Sequence, residues 1–466
     1  MRVTPRKTAG MAASPSAAPA AAFPKMQRKS PTEVRAMDFE PVDAKTREQS
    51  AAIVEGVKAG GEAALLDFAT KFGDLKPGQK ALLDKADLEA AWARVGTEVQ
   101  ELLTRVAGRI REFAAAQRAA LTDVDVPVPG GRAGHTVAAV EVAGCYAPGG
   151  RYPLPSSVMM TAVTARAAGV ARVFVASPRP TDVTLAAAFA SDADGLLAIG
   201  GAQAIAAMAF GIGGVPPCDV IVGPGNRWVT AAKAIVAGRC GIDMLAGPSE
   251  CLVLADETAD PAIVAADLLA QAEHDADALP ILVTTSAELA DAVDDAVAAQ
   301  LATLQTRDVA AVAIAKGLSV VCPDMDSAVA VTNGLAPEHL EVQTADSVAL
   351  ASRLTAFGGI FIGPNTAEVF GDYGAGPNHV LPTGGTGKYT GGLSVFTFLR
   401  IRTWLRSDTP AAGADREAFE GLVRDTAALA RLEGLRGHER AALRRSDNAT
   451  ALIAAAELEA AEAKDE

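Results

Sequence analysis

From Val137 onward the chain alternates short apolar runs with Ala-rich stretches of helical period. The runs are Val173–Ala176, Leu196–Ile199, Val220–Val222, Leu252–Leu254, Ile281–Thr284, Leu318–Val321 and Ile360–Ile362. Strands separated by helical crossovers pair in parallel, and the helices then cover both sheet faces, so this pattern predicts an α/β fold with two Rossmann-like parallel-sheet domains. Hydrophobic residues make up 50% of the 466 positions, enough to bury more than one core. Gly-rich connections at Gly144–Gly150 and Ala246–Ser249 set the expected division. Residues 146–249 form one α/β unit, and residues 42–145 join 250–393 in a second, discontinuous one. The region from Val34 to Ala120 reads as helical, with Ile53, Val57, Ala64, Leu65 and Phe68 at helical spacings. Beyond the strand-like Val395–Arg402, helices are predicted near 415–432, 434–445 and 449–463. Residues 394–466 are therefore expected to be a helical tail, too small for a core of its own and packed on a second subunit.

Charge separates the opening of the chain from the rest. Arg2, Arg6, Lys7, Lys25, Arg28 and Lys29 precede the first acid, Glu33, although the whole chain carries −14. This Ala-, Ser-, Thr- and Pro-rich opening lacks the apolar run of a secretory signal and has the composition of a transit peptide. Residues 1–36 are accordingly expected to be a disordered leader. Its prolines and serines interrupt any amphipathic helix, which favours the plastid stroma over the mitochondrion. The acidic remainder argues against nucleic acid as a partner, and no apolar run is long enough to span a membrane. Five widely spaced cysteines without a C-x-x-C pair indicate neither a disulfide framework nor a thiolate zinc site.

Several segments can carry chemistry. Asp260-Pro261 supplies an N-cap and first-turn proline for a helix running to about Glu273. Gln271 lies in the apolar stripe of that helix, with His274 three residues on, so both can reach one point beyond its end. Taken alone, the pair equally describes a buried amide satisfied by carbonyls beside a surface histidine. Glu338-His339 follows the turn-former Pro337; on a regular strand the two would face apart, whereas on a loop they can share a site. Gly371-Asp372-Tyr373-Gly374-Ala375-Gly376-Pro377-Asn378-His379 is a loop by composition. Glu433 and His438 flank another Gly-rich junction. Of the five histidines, His274, His339, His379 and His438 fall in Gly- or acid-containing junctions, which suggests one shared N/O site suited to zinc. No G-x-G-x-x-G stands between a strand and a helix. Two turns, Gly200-Gly201-Ala202-Gln203 and Val222-Gly223-Pro224-Gly225-Asn226, are expected to offer helix N-terminal amides to an anion such as a nucleotide phosphate.

Together these segments resemble the histidinol dehydrogenase family. The resemblance is carried by GCYAPGGRYPLPSSVMM (144–160), GGAQAIAAMAFG (200–211), VGPGNRWVTAAK (222–233), AGPSECLVLAD (246–256), LLAQAEHD (268–275), APEHLEV (336–342), GDYGAGPNHVLPTGG (371–385) and LEGLRGHERAALR (432–444). It implies zinc ligands Gln271, His274, Asp372 and His438, and an acid–base pair Glu338 and His339. It also implies NAD contacts Tyr146, Gln203 and Asn226, and substrate contacts Ser249, His379 and Glu433 besides His339 and the metal ligands. The implied reaction is oxidation of L-histidinol through L-histidinaldehyde to L-histidine with two NAD⁺, in a homodimer whose tail histidine reaches the partner's site. From the residues alone, a zinc hydrolase and a non-catalytic zinc protein remain alternatives. The weak ligand Gln271 beside Glu338-His339 is unlike a closed structural zinc site.

Overall fold

The structure is a computed structural model and describes residues 23–35, 42–149, 153–407 and 413–465. Most of the expected plastid leader lies outside these residues. The strands are β1 (Gln27–Lys29), β2 (Leu82–Asp84), β3 (Val124–Val128), β4 (Gly131–Ala139), β5 (Val142–Tyr146), β6 (Arg172–Ala176), β7 (Gly195–Leu197) and β8 (Val220–Val222). They continue as β9 (Gly241–Ile242), β10 (Glu250–Ala255), β11 (Leu279–Thr284), β12 (Leu318–Val321), β13 (His339–Gln343), β14 (Gly359–Ile362) and β15 (Leu399–Ser407). Each apolar run read from the sequence lies in or overlaps one of these strands. Two six-stranded sheets result, ordered β2-β7-β6-β5-β8-β9 and β1-β12-β11-β10-β13-β14. Apart from the antiparallel β2–β7 pair, neighbours in both are parallel.

The cores divide differently from the expected boundaries. The helices Ala44–Lys71 and Thr97–Ala119 bury Val57, Leu65, Leu103 and Ile110 in the core of the first sheet, together with Val175, Ile199 and Ile221. Residues 42–145 thus accompany 146–249 and not 250–393. The pairing of β2 with β7 draws them there, a long-range contact with no local sequence signature. The second sheet holds its own clusters around Val253, Leu268, Leu282 and Val293, and around Leu252, Val320 and Leu340.

Two further features lay outside the sequence reading. β15 pairs antiparallel with β4, which pairs with β3, making a third, three-stranded sheet. The tail helices Ala414–Leu432, Arg436–Leu443 and Ala449–Asp465 do enclose a small core of Phe419, Val423, Ala427, Leu443 and Ile453. They still expose Leu429, Leu432 and Leu435, with Leu432 at 85%.

The ordered part of the basic opening is also structural. β1 adds in parallel to the edge of β12, Arg28 reaches Asp291 at 2.8 Å and Ser319 at 3.0 Å, and Met26 and Val34 are buried at 4% and 1%. Residues 27–35, expected within a disordered leader, are therefore a strand and a short helix covering an otherwise open sheet edge. A chain beginning at residue 37 is expected to melt below one beginning at residue 23, because it forfeits the burial of the Met26 and Val34 side chains, about 3–6 kcal/mol. Differential scanning calorimetry checks this, and equal melting temperatures would contradict it.

Candidate active site

The chain direction of the two sheets brings unlike ends together. β10 and β13 lie side by side, with Cys251 opposite His339, so Ser249 and Glu338 enter the second sheet next to each other at its amino end. The helix Pro261–Ala272, capped by Asp260 accepting from the Ala262 amide at 2.8 Å, returns from β10 and delivers Gln271 to the same end. The carboxyl end of the first sheet faces it. The segment from Asp372 to His379 spans the gap; Gly371 and Asp372, expected in a loop, close the short helix Glu368–Asp372. Asn378 donates to the Met160 carbonyl at 2.8 Å, and Arg109 donates to the Gly374 carbonyl at 2.6 Å. Gly374 has φ +93, and a Cβ there would lie 2.4 Å from Val106 Cγ1, so the close docking of this loop requires glycine.

Glu338 precedes β13 while His339 opens it, which resolves the question of facing: Glu338 Oε2 lies 3.6 Å from His339 Nδ1. The Ser249 hydroxyl and the Glu250 amide donate to Glu338 Oε2 at 2.6 and 2.8 Å. Burial nevertheless pushes the Glu338 carboxyl up to about 8, with the Asp372 charge adding to the rise. His339 Nδ1 lies 3.0 Å from the Glu250 carbonyl, which can only accept. Neutral His339 must therefore carry its proton on Nδ1, leaving an unprotonated Nε2. That Nε2 is buried and has no hydrogen-bond partner.

Around it are further donors of the same kind. Both side-chain polar atoms of Gln271, a residue with 0% exposure, lack a hydrogen bond, as do both carboxylate oxygens of Glu368 at 1%. His274 Nε2 lies 3.6 Å from Asp372 Oδ2 and 4.0 Å from Glu368 Oε1. Buried polar atoms without hydrogen bonds are costly, and those of Glu368 belong to a group of ligand-type atoms from His274, Glu368 and Asp372 lying within 4.8 Å of one another. Such an N/O donor set fits a divalent cation such as zinc. His379 sits on the rim, its Nδ1 3.1 Å from the Asp372 carbonyl and its Nε2 3.5 Å from Ser157 Oγ, and burial lowers its pKa. The structure thus gathers Gln271, His274, Asp372, Glu338, His339, Ser249 and His379. Within the one chain, His438 and Glu433 lie apart on the exposed tail.

Glu368 escaped the sequence reading. Its signal was available, since it stands four residues before Asp372 on one helical turn and so shares its face. A second missed feature is the alternation His339, Glu341, Gln343 along one face of β13. Gln343 donates to Glu341 Oε2 at 2.9 Å and to Asp267 at 2.7 Å, and Glu341 Oε1 accepts from the Glu368 amide at 2.8 Å. This buried polar row anchors Glu368 behind the donor set.

On the facing sheet, the strand order reverses between β5 and β8, the place where an open α/β sheet leaves a ligand crevice. Tyr146 ends β5. Gly223, at φ +118, packs so closely on the Tyr146 carbonyl that a Cβ would come within 2.0 Å of its oxygen. Asn226 caps the next helix, its Oδ1 accepting from Trp228 and Val229 amides at 3.1 and 3.2 Å. Three of the turn amides expected to be open are taken by the chain's own groups. Gly200 N donates to Asp74 at 3.0 Å, Gly201 N to the Tyr146 hydroxyl at 3.2 Å and Gly223 N to Asp243 at 2.7 Å. Carboxylates of the chain itself fill two of these positions; Asp243 is held in turn by a buried pair with Lys233. Tyr146 and Gln203 are buried at 3% and 2% exposure, whereas Asn226 is exposed at the start of its helix.

Comparison with known proteins agrees with this geometry. Residues 39–446 match the histidinol dehydrogenase family. Sulfopropanediol 3-dehydrogenase of Ruegeria pomeroyi is 42% identical over 400 residues, covering 84% of this chain and 90% of that protein. Histidinol dehydrogenase of Halobacterium salinarum is 44% identical over 405 residues, covering 85% and 92%. The crystal structure of histidinol dehydrogenase from Elizabethkingia anophelis superposes with a TM-score of 0.82 at 29% identity, covering 90% of this chain and 98% of that one. The chain belongs to the histidinol dehydrogenase family, whose members are NAD-dependent oxidoreductases.

Proposed function

We propose that this protein oxidises L-histidinol through L-histidinaldehyde to L-histidine, reducing two NAD⁺ in turn. The observation that carries the reading is the cluster of His274, Glu368 and Asp372 within 4.8 Å, with His339 Nε2 3.7 Å from Asp372 and the buried, hydrogen-bond-free amide of Gln271 three residues before His274. Zinc held by Gln271, His274, Asp372 and His438 of the partner subunit would supply a fixed electrophilic point for the substrate's imidazole and amino nitrogens. NAD⁺ at Tyr146, Gln203 and Asn226 would supply the hydride acceptor. Ser249, His379 and Glu433 of the partner subunit complete the substrate's surroundings.

His339 Nε2 removes the hydroxyl proton as the carbinol C–H electrons depart as hydride, giving the aldehyde. An aldehyde yields hydride only once hydrated. Glu338 takes a proton from water as the oxygen adds to the carbonyl carbon; the hydrate then gives hydride to the second NAD⁺ and its hydroxyl proton to His339 Nε2, becoming the carboxylic acid. Ser249 serves this step by fixing Glu338 Oε2, which leaves Oε1 for water.

A second reading takes a sulfonated diol as substrate, since a sulfopropanediol dehydrogenase is as similar to this chain as the histidinol dehydrogenases are. The donor set favours histidinol. Its convergent acids Glu368 and Asp372, beside His274, attract an ammonium and repel a sulfonate. NADH formation by the purified protein, followed with each substrate before and after chelation, tests both readings. Two NADH per histidine, lost on chelation and restored by zinc, is the expected result; turnover of the sulfonated diol alone would overturn it.

The basic opening supports a plastid address. A leader removed without loss of β1 would end before Gln27. No described helix is long and apolar enough to cross a membrane.

A further inference from the structure

The turn that opens the helix Gly201–Phe210 is occupied by an acid from a distant part of the chain. Asp74 Oδ2 accepts from the Gly200 amide at 3.0 Å and from Gln203 Nε2 at 3.1 Å. The Tyr146 hydroxyl adjoins it through the Gly201 amide, and the Asp74 charge helps burial to hold that phenol protonated, up to about 12. Asp74 itself is fixed by backbone: its amide and that of Leu75 both donate to the Ala69 carbonyl, at 2.8 and 3.3 Å. Both bonds to its carboxylate fall on Oδ2, which leaves Oδ1 as an acceptor. A carboxylate here repels phosphate and welcomes a hydroxyl.

Position along the sheet says which part of a dinucleotide meets it. His379 touches Ser157 in the helix that follows β5, so the reacting end of a coenzyme lies at β5. β7, which leads into the Asp74 turn, stands two strands away, roughly 10 Å. The adenosine half falls there. We propose that Asp74 selects NAD⁺ against NADP⁺, its carboxylate accepting the 2′-hydroxyl of the adenosine ribose and excluding a 2′-phosphate. This rests on the reading of Tyr146, Gln203 and Asn226 as NAD contacts.

Calorimetric titration of the zinc-loaded full-length protein with NAD⁺ and with NADP⁺, alongside kcat/KM for each, tests the assignment. Wild-type protein is expected to bind NADP⁺ far more weakly than NAD⁺. Asp74→Asn, which keeps an acceptor for the Gly200 amide and removes the charge, is expected to narrow that ratio by about tenfold or more, with the change carried by KM. Asp74→Glu keeps the charge and is expected to keep the exclusion of NADP⁺. Asp74→Thr makes the same test as Asp74→Asn where the latter destabilises the turn. An unchanged ratio in Asp74→Asn or Asp74→Thr, or an equal loss of both coenzymes with a lowered Tm, would make Asp74 a structural anchor only and overturn the inference. Wild-type protein that binds neither coenzyme would overturn the cofactor reading with it.

Discussion

His339→Asn is expected to slow both oxidations by about two to four orders of magnitude, the usual contribution of a positioned general base. Its neighbour behaves differently: Glu338→Gln should leave aldehyde formation within a few-fold of wild type and slow the second oxidation by about two orders of magnitude or more. Rapid mixing with histidinol and NAD⁺ separates the steps, since aldehyde then accumulates in Glu338→Gln and not in His339→Asn. Two variants with the same step profile would contradict the division of labour. The pH dependence carries the same assignment. With the Glu338 carboxyl held up to about 8, the ionised base becomes more abundant as pH rises toward that value. The second oxidation should therefore rise through neutrality and level off above about pH 8, and Glu338→Gln should abolish the rise. Stability runs the opposite way. A folded pKa above the unfolded value of 4.5 means that the native state binds the extra proton, so this carboxyl favours folding at low pH and loses that contribution between 4.5 and about 8.

Chains carrying His274→Ala and chains carrying His438→Ala should each be nearly inactive and zinc-poor, and should recover when mixed. If each site takes His274 from one chain and His438 from the other, a heterodimer contains one site with both histidines and one with neither. Random reassortment makes half the dimers mixed, so about a quarter of wild-type activity and zinc should return. The exposed Leu429, Leu432 and Leu435 beside Glu433 and His438 support such a tail-mediated pairing. Verified heterodimers without activity, or a fully active His438→Ala homodimer, would exclude the shared site.

Much of the fold was legible because its signals are local. Strand and helix periods switch within a few residues, and the Asp260-Pro261 cap stands where the helix begins. The antiparallel pairing of β15 with β4 was not legible: residues 399–407 and 131–139 meet across more than two hundred positions, and neither stretch carries a mark of the other. The same holds for the long N-terminal helices, whose apolar stripes show that they pack without showing on which sheet. In the site, Gln271 stood out as an amide in an apolar stripe, and the histidines stood out by their junctions. The state of the turn amides was hidden, because a Gly-rich turn reads the same whether a ligand or the chain's own Asp74 or Asp243 accepts from it.

The opposed chain directions of the two sheets have an electrical consequence. Helices Pro155–Ala168, Gly201–Phe210 and Arg227–Val236 begin at the cleft, whereas Pro261–Ala272 and Met325–Leu335 end at it. Each helix start carries roughly half a positive charge and each end roughly half a negative one. The cleft is thus a small capacitor, one plate suited to a dinucleotide's phosphates and to the acid of Asp74, the other to a metal ion and an ammonium. A hydride leaving a substrate on the negative plate for a ring on the positive plate travels the way that field pushes it.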